Sequence, residues 1–374
     1  MTAPRPPDRT SAWRVLIALA LLGCAVLAIQ RIQLTDFSQD YAAAHGWRDG
    51  RDPNAPTATL LAACCPDIQL DSRIVQTAHP PAATLLVVPL SLLPWPLARL
   101  AWLLLSWVTI TLSWQRLRVR PLICLATAPL WLISLSLGTL EPLLLGLLTL
   151  AVWQRMPTRA GLLIGLAAAI KIYPLALLPA LWLSGRRRQA LAALAGLLVL
   201  SGLAELILGH AATASWLHYT PINTALQVHE AQNLSLVHLL LSVLPGLTPL
   251  LAAALWYVLL TLPLLPRLRQ GAVLQPMLPV MLLCSPICWD QYLGVLALAP
   301  LRRLELICLG GAGALLALVW MGLLPGSNLA PLGYGPLILV LLLVWYRQLR
   351  PSATARPDAI PMAGDPVLSG KEPS

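Results

Sequence analysis

Charge is what this chain has least of. Only 11% of its 374 residues are charged, and Asp and Glu together number 15. A soluble domain of this size carries roughly 25% charged residues, so a soluble globular fold is excluded. Phenylalanine occurs once. The apolar stretches also lack period-2 alternation, which argues against an outer-membrane barrel. The seven cysteines are scattered, and none has metal-ligand spacing. Cys64 and Cys65 are adjacent, but a vicinal disulfide is strained.

What fills the chain is Leu- and Ala-rich sequence, 58% hydrophobic, recurring from Trp13 to Tyr346. About 20 apolar residues span a bilayer, and backbone groups in lipid must be satisfied internally, so these runs are transmembrane helices. The formal net charge of +10 sits in short clusters between them: Arg116, Arg118 and Arg120; Arg155 and Arg159; Arg186 to Arg188; Arg267 and Arg269; Arg302 and Arg303; Arg347, Arg350 and Arg356. By the positive-inside rule these clusters mark the cytoplasm. No aromatic interleaving suggests a platform for bases, so no nucleic-acid partner is expected.

The expected path is a cytoplasmic tail over 1–12, a transmembrane region over 13–346 and a disordered cytoplasmic tail over 347–374. Leu21-Leu22-Gly23-Cys24 faintly resembles a lipoprotein cleavage box, but the apolar run continues to Ile29 and reads as an uncleaved first span. The first outside loop covers 31–80, and 81–93 read as a short re-entrant or juxtamembrane helix before Pro94-Trp95-Pro96. Residues 160–184 are flanked by arginine on both sides and interrupted by Lys171 and Pro174. They are too short for two full spans at 1.5 Å per residue, so a broken hairpin with Lys171 near its tip is expected. A single span with a buried lysine is the rival. A second outside loop is expected over 209–232. The fold class is therefore all-α integral membrane, a polytopic helical bundle of about 10–12 helices, multi-pass with both termini cytoplasmic.

The polar side chains gather on the opposite, outer side. The first loop offers Asp36, Asp40, Tyr41 and His79, and a tight turn offers Glu141. The hairpin tip offers Lys171, the second loop Asn233, and a late loop Trp289, Asp290, Gln291 and Tyr292. Ionisable groups at membrane depth are costly and mark functional sites by default. Asp36 is either a helix N-cap or a general base for an acceptor hydroxyl. Asp40, one turn on, faces the same way. Lys171 needs an anion: either a phosphate on a lipid carrier, or a structural bridge to Glu141 or Asp290. Trp289 and Tyr292 either stack on a sugar or belong to the interfacial aromatic belt.

At these residues the chain resembles glycosyltransferase family 87. The resemblance is carried by Asp36-Phe37-x-x-x-Tyr41-x-Ala43 with Gly50 and Pro53, and by His79-Pro80-Pro81 with the apolar stretch that ends at Pro94. Gly161-Leu162-Leu163-x-Gly165-Leu166-Ala167-x-Ala169-Ile170-Lys171-x-x-Pro174, Asn233-x-Ser235-Leu236 and Ser285-Pro286-x-x-Trp289-Asp290-x-Tyr292 complete it. It covers about residues 14 to 300. It implies a GT-C-type membrane enzyme of the cytoplasmic (inner) membrane. Such an enzyme moves a hexose or pentose, mannose above all, from a polyprenyl-phosphate donor to a lipid or glycan acceptor on the extracytoplasmic face, with inversion. Asp36 becomes the expected base and Lys171 the donor-phosphate ligand. Asp40, Tyr41, His79, Glu141, Asn233, Trp289, Asp290, Gln291 and Tyr292 become substrate-binding candidates, and the partners of the protein are the lipid-linked donor, the acceptor and membrane lipids. No cofactor is implied; some GT-C enzymes use a divalent cation, but no ligand set here indicates one. Departures from the family pattern are Gln291 where His is usual, Leu234 where Gln is usual, and Glu141 in a turn that usually holds Gly-Gln. Two other readings compete. A transporter or flippase of a lipid-linked sugar should show repeats and mid-membrane polar groups in both halves, and a non-catalytic assembly subunit would tolerate loss of Asp36.

Overall fold

The computed structural model describes residues 9–32, 35–65, 68, 76–230, 232–324 and 326–349. Residues 1–8 and 350–374, most of the tails expected over 1–12 and 347–374, lie outside the described residues, as do parts of the first loop; residues 9–12 open the first helix and 347–349 close the last, so helix extends into both expected tails. The described residues form helices and no strand.

Helix α1 (Arg9–Ile32) is followed by α2 (Thr35–Arg48), α3 (Thr57–Cys64) and α4 (Pro81–Val87). Then come α5 (Trp95–Arg116), α6 (Pro121–Leu137), α7 (Glu141–Trp153), α8 (Pro157–Ile170), α9 (Leu177–Leu183) and α10 (Arg187–Leu208). The remainder is α11 (His210–Gln227), α12 (Leu236–Val243), α13 (Pro249–Thr261), α14 (Leu265–Arg269), α15 (Leu274–Leu283), α16 (Arg303–Trp320) and α17 (Gly326–Leu349). Among the described residues six stretches are long and apolar enough to cross a membrane: Thr10–Ala28, Trp95–Arg116, Arg187–Leu208, Pro249–Arg269, Arg303–Trp320 and Leu332–Leu349. Shorter apolar helices, α6, α7, α8 and α15 among them, fill the interior. The protein is a polytopic helical membrane bundle.

Proline sets the helix starts. Helices α4 to α8 and α13 each carry Pro in the first turn, where the missing N–H costs nothing. Gly138 ends α6 at φ 72°, a left-handed C-cap, and its N–H donates to Ser134 O. That turn is pinned by a 2.6 Å hydrogen bond between the Ser134 and Thr139 hydroxyls and by Trp102 Nε1 donating to Gly138 O at 2.9 Å. It delivers Glu141 to the top of α7.

The segment with arginine at both ends forms the expected hairpin. Helix α8 stops at Ile170, and Lys171 is extended (φ −147°, ψ 132°). A 3-10 turn, Tyr173–Ala176, then leads into α9. Gly161 lies against Gln189 and Ala193, Gly165 against Ala193 and Leu197, and Ala169 packs in one cluster with Ala204. Position thus rises along both helices together, so α8 and α10 run parallel. Residues 171–186 must return the chain to the end where α8 began. The two helices approach so closely that a Cβ on Gly165 would stand 1.9 Å from Ala193 O, the small-residue packing favoured between membrane helices.

The bundle has two unlike ends. At one, the Arg116 guanidinium lies 4.3 Å from the Trp153 ring centre, Arg347 pairs with Glu305 at 2.9 Å, and Arg267 donates to Gln348. The other end holds α2, α4, the α6–α7 turn, the hairpin tip and the Ser285–Tyr292 loop. One expectation fails here: residues 209–232 are not an open loop. Helix α11 fills most of that stretch with 18 residues, and Asn54 Nδ2 donates to Ala212 O at 2.6 Å, tying it to the first loop. The polar composition suggested loop; Ala211, Ala212, Ala214 and Leu217 supply enough helix propensity to override it.

Candidate active site

Helix α2 presents Asp36 in its first turn and Asp40 one turn later. Asp36 is the second residue of the helix and not its cap, and the residue as a whole is half-buried. Asp40 is 1% exposed. Its two oxygens stand 3.1 and 2.9 Å from His79 Nδ1, and Thr77 Oγ1 donates to it at 3.3 Å. The His79-Pro80-Pro81 segment, leading into α4, therefore folds back onto α2. Burial pulls the His79 ring down, but the Asp40 charge and hydrogen bond outweigh it and hold His79 above its ordinary value. Thr77 is a member of this group that the sequence reading missed; its place two residues before His79 was the available signal.

Lys171 Nζ pairs with Glu141 Oε1, across from α7. The lysine is 7% exposed and Glu141 is fully buried. The amine also lies 3.9 Å from the centre of the Tyr292 ring, a cation–π contact, and Tyr292 stacks on Tyr173 at 5.3 Å. Of the two bridges open to Lys171 from sequence, the structure shows Glu141 and not Asp290.

The two groups form one site. Burial pushes the Asp36 carboxyl up to about 6; the charges of His79 and Lys171 pull it back, and Glu141 and Asp40 add to the rise. The fields of Glu141 and Asp36 both reach Tyr292. Three acids, one histidine and one lysine thus converge from α2, the 76–80 segment, α7 and the hairpin tip, and the late loop adds Tyr292. Lys171 is one of two lysines in the whole chain. Glu141 Oε2, Tyr173 Oη and Gln291 Oε1 are buried without a protein hydrogen-bond partner. Buried polar atoms of this kind call for an explanation.

Other candidates stand elsewhere. Tyr41 is buried against Phe37 and Trp95, and its hydroxyl donates to Leu93 O at 2.8 Å. It fastens α2 to the chain before α5. Asn233 uses its whole amide on backbone. Nδ2 donates to Val228 O at 3.1 Å and Pro286 O at 2.9 Å, while Oδ1 accepts from Ser235 N at 3.2 Å and Cys288 N at 2.9 Å. With Leu234 N donating to Cys288 O at 2.8 Å, it clamps the late loop in place. Asp290 turns away from Lys171: Oδ2 accepts from Trp320 Nε1 at 3.3 Å and Oδ1 from Gln291 N at 2.8 Å. It looks toward α16. Trp289 is part-buried and packs on the core. Among the described residues no group of three or more His, Cys, Asp or Glu side chains could hold a metal ion.

The late loop continues as a buried 3-10 segment, Asp290–Leu298, between α6 and α7. Gly294 allows it: a Cβ there would meet the Trp131 indole at 2.8 Å. Nine residues is long for this tight helix. Tyr292, from its first turn, is thereby aimed at Lys171.

No curated protein and no solved structure matches the chain significantly. The model of glycosyltransferase family 87 matches residues 78–286, more than half of the chain, including His79, Glu141, Lys171 and Asn233. The chain is a member of glycosyltransferase family 87, a membrane glycosyltransferase family by its fold here.

Proposed function

We propose that this chain is a GT-C-type enzyme of the cytoplasmic membrane that moves a sugar, mannose in the first instance, from a polyprenyl-phosphate carrier to a lipid or glycan hydroxyl. The arginine end faces the cytoplasm with both termini, and transfer takes place at the opposite, extracytoplasmic end. The observation that carries the reading is the convergence of Asp36, His79, Glu141 and Lys171 at one end of the bundle.

In this reading Asp36 takes the proton of the acceptor hydroxyl as that oxygen bonds to the anomeric carbon. The carbon–phosphate-oxygen bond breaks on the opposite face, so the configuration inverts, and the polyprenyl phosphate leaves. Lys171 stabilises the phosphate charge that develops, as preorganised cations do in buried sites. Glu141 holds the amine in place before the donor arrives. Its second oxygen, like Gln291 Oε1, is free to accept from sugar hydroxyls. Tyr292 and Tyr173 offer an aromatic wall. Asp40 fixes His79 beside Asp36 and favours its ionised form. The reading assigns charge stabilisation to these side chains and to no cofactor.

The test is a membrane assay with radiolabelled donors. Label should pass from polyprenyl-phosphate mannose into lipid or glycan and not from a nucleotide sugar. Transfer only from a nucleotide sugar would remove the lipid-donor reading, and movement of an unaltered lipid-linked sugar across the membrane would favour a flippase.

A further inference from the structure

The geometry points to a second ligand site, for one anionic phospholipid, on the outer surface of the hairpin at the arginine-rich end. It does not depend on the transfer reading. Between the returning limb of the hairpin and the first half of α10 lies a groove of about 320 Å³. Leu175, Leu178 and Trp182 line one side and Leu191 and Leu194 the other. Most of these side chains are exposed, so the groove opens sideways into lipid and not into the bundle. Lys171, by contrast, turns inward against Glu141 and Tyr292.

One end of this apolar groove is strongly positive. Arg186, Arg187 and Arg188 follow α9 and are exposed. The Arg187 guanidinium stands 5.6 Å from the ring centre of Trp182, a groove residue, so charge and groove are contiguous. Arg186 reaches across to the next loop: a Cβ on Gly271 would lie 3.3 Å from its Nη2. That loop brings Arg269, also exposed. Arg186 Nη1 donates to Gln189 Oε1 at 3.4 Å, a neutral partner. Neither 172–190 nor 262–275 contains Asp or Glu. The first N–H groups of the 22-residue helix α10 open at the same place, and such groups have no acceptor in their own helix.

Charge complementarity decides the occupant. A zwitterionic lipid gains little from several uncompensated arginines. A phospholipid with a net negative headgroup satisfies both halves, its phosphate among the arginines and one acyl chain along Leu191 and Leu194. Such a lipid would hold the short α9 limb against α10 and so steady the hairpin that carries Lys171.

The full chain, purified in neutral detergent, is assayed by native mass spectrometry with phosphatidylglycerol or phosphatidylcholine at equal concentration. One phosphatidylglycerol per chain should be retained, at least tenfold more tightly than phosphatidylcholine. Each arginine changed to Gln among 186, 187 and 188 should weaken it by about fivefold. Leu194→Trp, which fills the groove and keeps every arginine, should also release the lipid; Leu191→Phe serves if the first variant does not give a monodisperse gel-filtration peak. Equal retention of the two lipids would overturn the proposal. So would unchanged binding in the triple Gln variant or in the groove-filling variant, or displacement of phosphatidylglycerol by an equal amount of polyprenyl phosphate.

Discussion

The two ends of this bundle handle charge in opposite ways. At the arginine end the cations are numerous, mostly exposed and held by single contacts such as Arg116 on Trp153 and Arg347 on Glu305. At the other end Arg48, Asp49, Arg51 and Asp52 are exposed, but Asp40, His79, Glu141 and Lys171 are buried, and all four act on Asp36. Exposed charges at a membrane surface cost little and report topology. Buried charges cost several kcal/mol each unless paired, as a general estimate, so a fold retains them only for a structural or chemical return. Lys171 shows both: its pairing with Glu141 makes its burial tolerable, and its charge acts on Asp36.

The comparison can be broken most severely at that pair. Lys171→Met leaves Glu141 as an uncompensated buried acid and should cost about 3–5 kcal/mol of stability, with transfer lost. The double variant Lys171→Met with Glu141→Leu should recover thermal stability but not transfer. Recovery of both would make the pair structural only. A smaller effect is expected where α8 meets α10. Gly165→Val drives a side chain into the Ala193 carbonyl and should destabilise by about 1–3 kcal/mol or more, seen as a lower melting temperature in detergent. Next comes Asn233→Ala, which frees backbone groups of the late loop at about 1–3 kcal/mol. It should lower the melting temperature and perturb transfer only through the position of Tyr292; a pure loss of donor affinity at unchanged stability would instead make Asn233 a ligand.

The smallest effect is one of pH. Asp36 acts as a base only when ionised, so transfer should fall as pH drops through about 6 rather than through the ordinary carboxylate range near 4. The imidazolium of His79 favours the ionised form of Asp36. His79→Gln should therefore move the acid limb of the pH profile upward, with the plateau rate at high pH changed less. An acid limb that moves downward would mean that His79 does not act through its charge on Asp36.

Much of this was legible in the sequence, for physical reasons that differ from residue to residue. The hairpin could be read because arginine on both flanks fixes both ends to one side, and 25 residues cannot make two spans. Asp36 and Asp40 could be placed together because helix spacing puts them on one face. The pairing of Lys171 with Glu141 was one of two options left open, since spacing places a side chain at a membrane depth but not in a direction. The same limit explains Asp290, which shares a loop with Tyr292 yet turns to Trp320. Asn233 looked like a ligand because it is an amide near the site; only the positions of Val228, Pro286 and Cys288 show that the backbone uses all of it. Helix α11 is hidden by its composition: His, Thr, Asn and Gln suggest a loop, while its alanines carry the helix propensity.

The claim that the buried charges form a transfer site is tested most directly by Asp36→Asn, assayed for sugar transfer in membranes at matched protein levels. The substitution keeps the size of the side chain and removes its charge and its basic oxygen, so the rate should fall by about 10²–10⁴-fold while the melting temperature holds. Transfer at the wild-type rate by this variant would contradict the account.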